Sequence, residues 1–64
     1  MLKLSKQLLN ESGSYVEALQ KAINGWNNPT ATMKDKKDYI LVIGEIGNAI
    51  HKQNKSFDIK NMDI

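Results

Sequence analysis

Apolar positions along this chain repeat with the period of a helix, most densely between residues 39 and 50. That stretch reads Tyr-Ile-Leu-Val-Ile-Gly-Glu-Ile-Gly-Asn-Ala-Ile. At about 100° per residue, Tyr39, Ile40, Ile43, Ile46, Gly47 and Ile50 share one face. Leu41, Glu45, Asn48 and Lys52 fall on the opposite one. The β-branched residues favour a strand locally. Ile40 to Ile43 nevertheless run consecutively instead of alternating, and the helical phase continues upstream through Met33 and Lys36 and downstream to His51. The pattern predicts a helix over 33–54, with Thr32 as N-cap, Asp35 and Asp38 near its positive end and Lys52 and Lys55 near its negative end.

The N-terminal half carries a second stripe: Met1, Leu4, Leu8, Ser12, Tyr15, Val16, Leu19, Ala22, Ile23 and Trp26. Its phase runs straight through Ser12-Gly13-Ser14, as one continuous helix would require. Punctuation argues for two helices. Gly13 suits the left-handed residue that follows a helix end, and Ser14-x-x-Glu17 has the form of a capping box. The reading is therefore two helices, 3–12 and 14–24, the second stopping at Gly25 before Asn27-Asn28-Pro29. Residues 55–64 form a tail in which Phe57, Ile59, Met62 and Ile64 alternate loosely with polar residues. The expected fold is all-α, a single domain over 1–64 built as a small bundle of two or three helices.

Two glycines inside the longest helix each cost it about 1 kcal/mol against alanine. Either they weaken the helix locally, or they mark a place where a neighbouring helix comes close. On the second reading Gly47 lies within the apolar face and Gly44 at its edge. A chain of 64 residues buries only about 60% of the surface it exposes when unfolded. Small proteins usually compensate with disulfides, a metal or a partner subunit. Cysteine is absent and His51 is the one histidine, which leaves self-association. Homodimerisation is expected through Tyr39, Ile43, Gly47 and Ile50.

Candidate chemistry is sparse. No phosphate-binding loop or dinucleotide fingerprint is present, and Gly44-x-x-Gly47 lies within a helix with the wrong spacing. His51 falls near a helix C-terminus, where an imidazolium interacts favourably with the dipole. Asp35 and Asp38 supply too few oxygens for calcium and read as a solvated first turn. No catalytic, cofactor-binding or metal residues are proposed, and an enzyme is not expected. The start of the chain has a lysine within its apolar positions and does not read as a signal peptide. No run approaches 18 apolar residues, so no membrane span is expected.

Nine basic residues, all lysine, against seven acids give a net charge of +2, too small an excess to require a polyanion. Lys, Asn and Ile are encoded by A/T-rich codons, which points to a low-GC bacterium or its phage, and the lack of cysteine fits a reducing cytoplasm. The first functional expectation is a non-enzymatic module that binds an unidentified protein and itself, for instance a prophage accessory protein acting on a host factor. Trp26, Phe57, Ile59 and Met62 are its candidate partner-binding residues; Trp26 serves either as a hydrophobic clasp or as an exposed loop-tip aromatic. The alternative is a small DNA-binding regulator using Lys34, Lys36 and Lys37. Against it stand a connection longer than the usual helix-turn-helix turn, the absence of arginine, and Asp35 and Asp38 among the lysines.

Overall fold

The computed structural model describes residues 1–55, and over these the chain is three helices: α1 (Lys3–Glu11), α2 (Tyr15–Asn27) and α3 (Met33–Gln53). Among the described residues there is no strand. The α2–α3 interface is the largest, and α1 lies against both. The core is apolar and drawn from all three helices: Leu8 from α1; Ala18, Leu19, Ala22 and Ile23 from α2; Val42, Ile43, Ile46 and Ile50 from α3. Leu4, Leu9, Trp26 and Tyr39 close its edges.

The buried stripe of α3 is rotated from the one periodicity suggests. Val42 is fully buried, whereas Ile40 is 39% exposed. In a run of four consecutive apolar residues the sequence does not say which side meets the core; the positions of α1 and α2 decide it. Those neighbours also recruit Glu45 from the expected outer face to a half-buried edge.

Break points follow local chemistry, with three differences. Ser14 caps α2 by accepting from the Glu17 N–H at 3.2 Å, but the Glu17 carboxylate receives the N–H of Gly13, at 2.8 Å, one residue earlier than a capping box would place it. Gly13 is not left-handed, since no described glycine has positive φ; α1 ends at an extended Ser12 instead. The helix α2 does not stop at Gly25 but continues to Asn27, with Asn28 extended ahead of Pro29. Asn28 then folds the connection, its side-chain oxygen accepting from the Thr30 N–H at 3.0 Å and the Thr30 hydroxyl at 2.8 Å. Thr32 is the N-cap of α3 as predicted, and with Asp35 it forms a complete capping box.

A close helix approach falls on Gly25, which the sequence reads as a helix stop, and none falls on Gly44. A Cβ built on Gly25 would sit 2.6 Å from both Cε carbons of the Tyr39 ring, whereas one built on Gly44 would meet nothing within 4 Å. Gly25 stays in the helix because only glycine lets the Tyr39 ring lie against the backbone of α2.

With nine residues, α1 is too short to be stable alone. It has no side-chain cap at Leu2, no acid in its first turn and no base in its last. Both deficits are met by the other helices. From α3, the Glu45 carboxylate accepts the Leu2 N–H at 2.9 Å, at the positive end of the α1 dipole. From α2, Lys21 Nζ donates to the terminal carbonyl of Glu11 at 3.0 Å. The Leu2 N–H holds the Glu45 carboxyl below its ordinary pKa, and the Ser5 hydroxyl adds to the lowering. Ser5 acts there as a nearby dipole, because its buried Oγ reaches no partner with hydrogen-bond geometry.

Two measurements check this account. Alanine should have opposite effects at the two glycines. Gly44→Ala should stabilise by about 0.5–1 kcal/mol through helix propensity alone, raising Tm by roughly 2–8 °C. Gly25→Ala should lower Tm, because overpacking costs about 1–3 kcal/mol against the same propensity gain; equal shifts at both sites would refute the Tyr39 contact. The Glu45 contact should depend on acid. A carboxyl with a depressed folded pKa contributes stability above its ordinary value of 4.5 and loses it as pH falls through the folded value. Glu45→Gln should therefore melt below the parent at pH 7, with the two curves converging in acid. A constant gap down to pH 3 would count against it.

Candidate interaction surface

The end of α2 meets the start of α3, and the side chains there form an open cleft. Trp26, Met33, Lys34, Lys36 and Lys37 line about 600 Å³ of it. The elements place these residues for physical reasons. Trp26, in the last turn of α2, places its indole beside Lys36 in the first turns of α3. The indole is half-buried, one part of it packing on the core. Lys36 is half-buried too, its ammonium 5.7 Å from the centre of the Trp26 ring, within range of a cation–π contact. Lys34 and Lys37 are exposed. Met33, the first residue of α3, is 85% exposed, the most exposed large apolar side chain among the described residues.

The cleft thus unites residues that sequence reasoning had assigned to different roles. Trp26 was a partner-binding candidate, whereas Lys34, Lys36 and Lys37 were nucleic-acid candidates. Met33 had been noted only as part of a helical phase. An apolar residue at the first helical position, followed by three lysines within four residues, is the signal that could have found it. Among the described residues no carboxylate lines the cleft. Asp35 and Asp38 belong to the other flank of α3, a second cleft of about 440 Å³ that also involves Leu2, Leu4, Tyr39 and Leu41.

The proposed self-association residues lie elsewhere. Ile43, Gly47 and Ile50 are buried within the chain's own core, and Tyr39 packs on Gly25, so in this fold they offer little surface to a second copy. The apolar side chains that α3 leaves open are Met33, Ile40 and Leu41. Phe57, Ile59 and Met62 lie outside the described residues. His51 is exposed in the last turn of α3.

Among the described residues no three His, Cys, Asp or Glu side chains converge on a possible metal position. No described helix is long and apolar enough to cross a membrane. Chemically, the Trp26 cleft can offer an apolar floor, a polarizable thioether and ammonium donors, which suits recognition of a partner with apolar and anionic groups. Comparison of the chain with known protein families, with curated proteins and with solved structures returned no match.

Proposed function

We propose that this chain is a small non-enzymatic protein–protein interaction module whose docking surface is the Trp26 cleft. The observation that carries the reading is the convergence of Trp26, Met33 and three lysines at one end of the α2–α3 pair. Partly exposed tryptophan beside adaptable apolar side chains is the composition of binding hot spots. An all-lysine basic set with frequent Asn and Ile supports an origin in a low-GC bacterium or its prophage. There the module would act in the cytoplasm on a host factor. Self-association, if it accompanies this role, falls to the exposed Ile40 and Leu41 flank.

The second reading is a small DNA-binding regulator using Lys34, Lys36 and Lys37, now supported by an adjacent aromatic. Two observations weigh against it. The Lys36 ammonium already covers the Trp26 ring, where a base would stack. Asp35 and Asp38 stand on the neighbouring flank and repel phosphate.

Affinity capture from a nuclease-treated lysate of a low-GC bacterium tests the reading. A protein should be retained by the parent and by Leu41→Ser, and lost from Met33→Ser. Both substituted side chains are largely exposed, so neither change should unfold the chain. Retention that ignores Met33 would remove the cleft from the proposal. Micromolar binding to duplex DNA in a low-salt mobility shift, steeply weakened by salt, would favour the regulator.

A further inference from the structure

We propose that the Trp26 cleft is selective for an acidic peptide segment carrying a large aliphatic or aromatic side chain. The inference rests on the interaction reading above and adds the chemical class of the occupant. Three features of the cleft carry it.

The first is charge. Lys34, Lys36 and Lys37 line the cleft, and among the described residues no carboxylate does; the cleft lies at the start of α3, the positive end of its dipole. Potential from these sources adds, and Asp35 and Asp38 on the other flank of α3 confine it to this cleft, so it selects a short acidic segment and not a phosphate backbone that would run on past them.

The second is the apolar component. Met33 and the open part of Trp26 form a surface that carboxylates alone would leave uncovered. A flexible thioether adapts to aliphatic and aromatic side chains of different shape. The occupant therefore needs an apolar anchor as well as acid groups. The same feature disfavours a nucleic acid, which would have to displace Lys36 from the indole in order to stack.

The third is that folding does not call for this arrangement. Lysines in the first turns of a helix oppose its dipole, and an exposed methionine at the first helical position gains nothing from burial. In the same turns Thr32 and Asp35 cap the helix in the usual way. Residues that break local rules beside residues that obey them mark a surface kept for binding. In the complex, carboxylates pair with Lys34 and Lys37, and the anchor lies on Met33 and the edge of Trp26.

Selection of binders from a random displayed dodecapeptide library against the full chain tests the proposal. Enriched peptides should combine Asp or Glu with Leu, Ile, Phe or Met. Trp26 is the chain's one tryptophan, so titration with the best tryptophan-free peptide should move its emission and saturate. The Lys34→Glu/Lys37→Glu double variant should weaken that peptide about tenfold or more, and Met33→Ser should weaken it as well. Enrichment of basic or uncharged peptides would overturn the proposal, as would an unchanged affinity in the double variant. Tighter saturation of the Trp26 signal by oligothymidylate than by the peptide would overturn it too. If acidic peptides fail while a lysate protein still depends on Met33, the interaction reading stands and only the acidic class falls.

Discussion

The contact on which the rest of this molecule depends is the Tyr39 ring lying against the bare backbone of Gly25. It joins the last turn of α2 to the second turn of α3 at a distance no side chain would allow. The position of this contact sets the register of the two helices that share the largest interface. The same packing, together with α1, turns Val42 inward and leaves Ile40 outward. It also puts Trp26, one residue on, beside Lys36. Fold and candidate site thus share the junction at which this close approach occurs.

The short first helix shows the same dependence on neighbours. A nine-residue helix without cap or complementary charges has little stability of its own. Glu45 at one end and Lys21 at the other supply what it lacks, and Leu8 ties its middle to the core. Because the two capping side chains come from different helices, α1 completes both ends only when packed on both α2 and α3. With no cysteine for a disulfide, the chain orders its weakest element through tertiary contacts.

What periodicity and capping could reveal was local. Thr32 and Ser14 are legible as caps because a side-chain oxygen three residues ahead of an N–H is a sequence-local geometry. Gly25 misled because glycine has two uses, ending a helix or admitting a neighbour, and the sequence does not say which applies. Gly44 drew attention for the same reason, yet it faces open space, whereas Gly47 is buried. Glu45 was assigned to the solvent face because its partner, Leu2, is 43 residues away, beyond the reach of any pattern. Trp26 and the lysines were each singled out, but for different reasons; only the packing of α2 on α3 makes them one surface.

By itself the sequence determined that the fold is all-α, where the caps Ser14 and Thr32 lie, and which residues are apolar enough to form a core, while its phase left residues 3–24 readable as one helix or two. Those properties follow from backbone hydrogen bonding, caps and hydrophobic phase, which act over a few residues. The tertiary structure alone decided which face of α3 is buried, which glycine is the contact point, how α1 is capped and where the candidate surface lies. Each of these depends on side chains far apart in the chain meeting at a few ångströms, a distance that only the packed arrangement of the helices specifies.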